Sequence, residues 1–105
     1  MQEVYEALDL PGDALGASTS FTRDHLENAR EQIGIGADES LVIVLPPAGY
    51  DQADWRRALA RDLARAHTPA RVNVIAAAKG PGLDAMLLYL EGAKGVTGHY
   101  LETHE

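Results

Sequence analysis

Five consecutive large apolar residues, Leu41-Val42-Ile43-Val44-Leu45, stand between Ser40 and Pro46-Pro47. A membrane-spanning helix needs about 20 apolar residues, so this run is far too short to cross a bilayer. Its β-branched centre and proline stop make it a strand buried on both faces. Only a sheet with helices above and below gives such a strand cover, so this one segment points to an α/β fold.

The flanking sequence supplies the helices. Ser18-Thr19-Ser20 offers N-cap oxygens, and from Phe21 to Ile33 the apolar Phe21, Leu26, Ala29 and Ile33 share one broad face. Gly34 and Gly36 then end that helix. After the strand, Asp51 is placed to cap a helix to about Ala66, in which Trp55, Leu59 and Leu63 repeat at i, i+4, i+8 and should pack on the sheet. Thr68-Pro69 closes it, and Arg71–Ala78 reads as a second buried strand. Lys79-Gly80-Pro81-Gly82 turns into a third helix with Leu83, Met86, Leu87 and Leu90 on one side and Gly92 as its C′ residue. A short last strand is expected near Gly98–Glu102. Before all of these, Val4–Leu10 carries apolar residues at even positions, and periodicity leaves strand and helical turn both open for residues 2–10. Strands alternating with helices predict right-handed crossovers and a mostly parallel sheet of about four strands in three layers, with helices on both faces.

Composition bounds what such a fold can do. The 105 residues allow one domain, and a chain of this size buries only roughly 60–70% of its unfolded surface. Sixteen Asp and Glu against nine Lys and Arg give a net charge of −7, which repels phosphate backbones and anionic lipid. Neither nucleic acid nor membrane is expected as a partner. The absence of cysteine removes disulfides, thiolate nucleophiles and Cys-based zinc sites, and fits a reducing compartment. The opening MQEVYEALDL has no basic segment followed by an apolar one, so no signal peptide is read and the expected location is the cytoplasm.

Two motifs in the second half carry a resemblance. Arg57-Ala58-Leu59-Ala60-Arg61-Asp62-Leu63-Ala64, followed by Arg71-Val72-Asn73-Val74-Ile75-Ala76, resembles the RALA-x-ELA helix and RVN-x-VAPG strand of short-chain dehydrogenases/reductases. Tyr89-Leu90 and then Gly95-Val96-Thr97-Gly98-His99-Tyr100-Leu101 is similar to their late L…VTG-x-x-L segment, in the same order. The resemblance implies a small Rossmann-like sandwich, with residues 1–105 forming a single truncated domain. It also implies pairing through the long helix and last strand, here about Gln52–Ala66 and Gly98–Glu102, as a homodimer or a heteromer with a full-length reductase.

The family's chemistry is not carried over with the fold. Its dinucleotide sits on a glycine-rich turn between the first strand and first helix, where backbone N–H groups approach the pyrophosphate. Gly12 and Gly16 are the only glycines before the first helix and lack that spacing, so no cofactor is expected. The catalytic Tyr and Lys, four residues apart, would fall near Leu45 and Gly49. Tyr50 lies close by, but the residue four further on is Asp54, whose charge would disfavour a phenolate. The VAPG corner reads Ile75-Ala76-Ala77-Ala78. No catalytic residue is assigned.

Other candidates stand on local chemistry. Lys79, Gly80 and Gly82 lie after a buried strand and before a helix, where an anion can meet backbone N–H groups, with Tyr50 at the neighbouring strand end. The competing reading is a tight turn shaped by Gly and Pro. Arg57, Arg61 and Arg65 form an i, i+4, i+8 stripe, with Arg56 beside it, which is either a solvated helix face or a docking strip for an acidic partner. Tyr100 joins that stripe as a partner-binding candidate on the last strand. His25, His67, His99 and His104 show no metal-ligand spacing, and Ser18, Ser20 and Ser40 lie in no GxSxG elbow, so no metal or hydrolase site is expected. Two functional expectations result. One is a non-catalytic interaction or accessory protein that self-associates; the other is a small ligand-binding or enzymatic domain built on the Lys79–Gly82 loop.

Overall fold

The computed structural model describes residues 1–103. His104, one of the scattered histidines, lies outside the described residues. The order of elements is β1 (Gln2–Glu6), α1 (Ala14–Asp24), α2 (Leu26–Glu31), β2 (Ser40–Leu45), a 3₁₀ turn (Tyr50–Gln52), α3 (Ala53–His67), β3 (Arg71–Ala76), α4 (Pro81–Gly92) and β4 (Tyr100–Glu102). The four strands lie in the order β1-β2-β3-β4 and all pair in parallel. The fold is therefore a small three-layer Rossmann-like α/β sandwich, and the opening segment is a strand.

Alternation of side chains across β2 divides the core in two. Leu41, Ile43 and Leu45 pack with Val72 and Val74 of β3 beneath Phe21, Ala29, Ala60, Leu63 and Ala64 of α1, α2 and α3. Val42 and Val44 pack with Ile75, Leu83 and Leu90 beneath α4. All five residues of Leu41–Leu45 are buried, each worth about 1.5–3 kcal/mol in transfer free energy.

The crossovers depart from the uniform right-handed expectation. The sheet advances in one direction throughout, yet α1, α2 and α3 cover one face and α4 the other. The third crossover consequently has the opposite hand to the first two. Residues on the α4 face of β3 account for this. Arg71 Nη1 donates to the carbonyls of Leu90 and Ala93 (2.9 and 2.8 Å), capping the C-terminus of α4 where the helix dipole favours a cation. Asn73 Nδ2 donates to Val96 O (3.0 Å), while His99 N donates to Asn73 Oδ1 (3.1 Å). Val72 N donates to Thr97 Oγ1, and Gly98 N returns a bond to Val72 O (2.7 Å). Gly98 has φ +75°, and a Cβ there would meet Ala64 Cβ of α3 at 3.4 Å, so glycine suits both the turn and the close approach.

Local boundaries also moved. The first helix starts at Ala14, with Asp13 as N-cap accepting from Gly16 N (2.8 Å), not at Ser18–Ser20. Those polar residues lie inside α1, where Thr22 Oγ1 bonds back to Ser18 O. The helix then breaks at His25, whose ring is held by Tyr5 OH (2.9 Å) and Asp9 (3.0 Å), and restarts as α2. Asp51 is not the N-cap of α3: it sits in the 3₁₀ turn, and Gln52 precedes α3, its amide bonding Gly12 O and Trp55 Nε1. Gly92 is the last residue of α4 and is followed by Ala93 as C-cap. The strand expected over Arg71–Ala78 ends at Ala76.

Asn73 is buried and serves two backbone groups of the β4 loop. Replacing it with Ala leaves both without a partner, so Asn73→Ala should lower the unfolding free energy by about 2–4 kcal/mol, measurable as a reduced urea midpoint at unchanged slope.

Candidate functional site

The candidate anion loop lies at the carboxyl end of the sheet. Gly80 takes φ +153° and Pro81 occupies the first turn of α4, whose N-terminus has no side-chain cap. Lys79 is exposed and its Nζ lies 3.7 Å from Glu6 Oε1 at the end of β1, so its charge is already partly matched. Gly82 sits in the first turn of α4. Tyr50 is 91% exposed in the 3₁₀ turn after β2. Among the described residues no hydrogen bond joins Tyr50 to the Lys79–Gly82 loop, so the four candidates share an end of the sheet without forming a bonded cluster.

The arginine stripe divides. Arg57, Arg61 and Arg65 are exposed on α3, with Arg57 3.7 Å from Asp54. Arg56, read as the neighbour of that stripe, is completely buried instead. Position 56 faces the sheet with Ala53, Ala60, Leu63 and Ala64, a consequence of the 3.6-residue period. Its Nη1 donates to Pro46 O (2.8 Å) and to Tyr100 OH (3.3 Å), and its guanidinium carbon lies 5.4 Å from the Trp55 ring and 5.9 Å from that of Tyr100. Tyr100 is accordingly half-buried with its hydroxyl turned onto Arg56, inside the molecule rather than beside the exposed arginines.

Sequence reasoning missed a groove between α1, α2 and α3. Phe21, Leu26, Trp55, Ala58, Leu59 and Leu63 line a concavity of about 410 Å³, rimmed by Ser18, Thr22, Arg30, Asp62 and Ala66. Trp55 and Leu59, expected on the sheet, are only half-buried and turn toward α1, where the Trp55 and Phe21 ring centres are 6.0 Å apart. Leu15, three residues before Ser18 on α1, is 84% exposed. The signal was present in the i, i+4 spacing of Trp55 and Leu59, but a sequence does not say whether that stripe meets a sheet or a second helix.

Of the positions near which the resemblance would put the family's catalytic pair, Leu45 is fully buried in β2 and Gly49 lies in the loop beyond. By contrast, the RVN and VTG residues, Arg71, Asn73, Thr97 and Gly98, are all engaged in joining β3 to α4 and the β4 loop. Among the described residues no three His, Asp or Glu side chains gather as a metal site would require, and no helix is long and apolar enough to cross a membrane.

The sequence model of the short chain dehydrogenase-like protein family matches residues 5–103. The chain belongs to that family. The match reaches back to β1, so the kinship covers nearly the whole chain and not the second half alone. No curated protein and no solved structure matches the chain.

At one end of the groove Arg30 Nε donates to His67 Nε2 (3.2 Å), which requires a neutral ring. Burial, and then the Arg30 charge, hold His67 below its ordinary value of 6.5. A histidine whose pKa is lower folded than unfolded contributes stability that is complete above the unfolded value and lost as the pH falls from there through the folded value. The wild-type chain should therefore lose more stability than His67→Gln between about pH 7 and pH 5, as read from paired urea midpoints.

Proposed function

We propose that this chain is a non-catalytic member of the short chain dehydrogenase-like family that acts by association, pairing with a second copy through the outer face of α1 and α3. The observation that carries this reading is the apolar groove with half-buried Trp55 and Leu59 and the exposed Leu15 beside it. A small domain gains stability by covering such surface, because association buries area the monomer cannot. The buried Leu45 and the Gly49 loop at the family's catalytic positions, and the missing glycine-rich turn, support an accessory rather than a chemical role. Exposed Arg57, Arg61 and Arg65 flank the same helix and suit an acidic edge on a partner, whether a second copy or a full-length reductase.

The test joins mass to ligand response. Light scattering should give at least a dimer, and Leu59→Glu, with its fold verified by circular dichroism, should lower the mass by placing a charge in the apolar contact. A thermal-shift titration with NAD(H) and NADP(H) should show no saturable change. A ligand at 100 times its dissociation constant stabilises by about 2.7 kcal/mol, so binding would be plain in a domain of this size. Saturable stabilisation that disappears in Lys79→Ala would overturn the reading in favour of a ligand-binding domain using the Lys79–Gly82 loop.

A further inference from the structure

β1 is an edge strand whose outward backbone groups are set by its register. Ser40 N donates to Met1 O and Ala7 N donates to Val44 O, with Gln2 to Glu6 paired in parallel, without a bulge, to Ser40 to Val44. Alternation along a parallel ladder then turns the backbone groups of Met1, Glu3, Tyr5 and Ala7 toward β2, and those of Gln2, Val4 and Glu6 away from it. The strand contains neither proline nor lysine, two of the usual devices that blunt an edge.

We infer that β1 pairs with β1 of a second copy, antiparallel about Val4, so that the two four-stranded sheets become one sheet of eight. The strand is complementary to itself in that register. Val4 meets Val4, Gln2 meets Glu6 and Glu3 meets Tyr5, so every outward-facing backbone group finds an outward-facing partner. No two carboxylates stand directly opposite, although the strand carries two glutamates and the chain a net charge of −7. A carboxamide faces a carboxylate on the α4 side, and a phenol ring faces a carboxylate on the other. Val4 is 39% exposed while its in-register neighbour Val42 is 1% exposed, so a second Val4 extends an apolar row that now stops at the edge. The helix over that face is tied to β1 by Gln2 Nε2 donating to Leu87 O, and it carries Leu88 and Tyr89 at 72% and 58% exposure. This contact is distinct from the α1–α3 face, and either alone builds a dimer.

The chain has no cysteine, so single cysteines report the register without interference. Directly opposed, hydrogen-bonded residues of an antiparallel pair have Cα atoms about 5.5 Å apart, within the range a disulfide bridges. Positions 2 and 6 lie about 14 Å from their own counterparts, four residues along the strand at about 3.4 Å per residue, beyond that range. Under mild oxidation Val4→Cys should form a covalent dimer at least about tenfold faster than Gln2→Cys or Glu6→Cys. It should do so equally when combined with Leu59→Glu, which separates this contact from the helix face. Val4→Pro, whose lost N–H points away from β2, should keep the circular dichroism spectrum and lower the mass. Equal cross-linking at the three positions, faster cross-linking at Gln2→Cys or Glu6→Cys, or none at Val4→Cys would each overturn the pairing.

Discussion

The hydrogen bonds that join Arg71 and Asn73 of β3 to the end of α4 and the segment before β4 determine how the second half of the chain is arranged. Both side chains are buried on the face of the sheet that α4 covers. A buried arginine and asparagine have to find partners, and the unfinished end of a helix and the loop after it offer the carbonyls and amide they use. Satisfying them draws α4 onto that face and brings the VTG loop under the amino end of β3. β4 can then enter beside β3 in parallel, with Val74 opposite Tyr100. The reversed hand of the third crossover follows from where these polar groups sit.

The same bonds give a physical reason for the residues that carry the family likeness. Arg71, Asn73, Thr97 and Gly98 are the residues by which the resemblance is read, and each holds backbone in place. Their demand is architectural and remains as long as α4 and β4 keep their places. The residues around Leu45 and Gly49 answer a different demand. Leu45 is part of an apolar strand, and packing alone is sufficient reason for it.

Legibility in the sequence followed the strength of the physical constraint. Leu41–Leu45 permitted one structure and took it, and parallel pairing followed from alternating strands and helices. The start of the first helix was less legible because Asp13 and Ser18–Ser20 all offer cap oxygens. Asp13 prevails because its carboxylate reaches Gly16 N, while hydroxyls further on can bond within the helix, as Thr22 does to Ser18. The loop of Lys79, Gly80 and Gly82 lies between β3 and α4, as its flanking pattern indicates, but Lys79 faces Glu6, a contact across the sheet that no local pattern contains. The groove is illegible for the same reason, since it exists only where α1, α2 and α3 meet.

Arg56 is the residue that a charge pattern misreads most completely, and its environment shows what a buried guanidinium can rest on besides a carboxylate. Among the described residues no acidic group pairs with it, and its Nε is buried without a partner. Burying such a charge is costly unless its surroundings replace water. Here the Pro46 carbonyl and the Tyr100 hydroxyl accept from one end, and the guanidinium lies over the rings of Trp55 and Tyr100, whose faces are negative. Pro46 follows β2 and Tyr100 belongs to β4, so the side chain reaches from one flank of β3 to the other. One long side chain from α3 thereby ties an inner strand to the short edge strand, which has only three paired residues of its own. The tie holds β4 at its edge of the sheet, and β1 is left as the longer open edge.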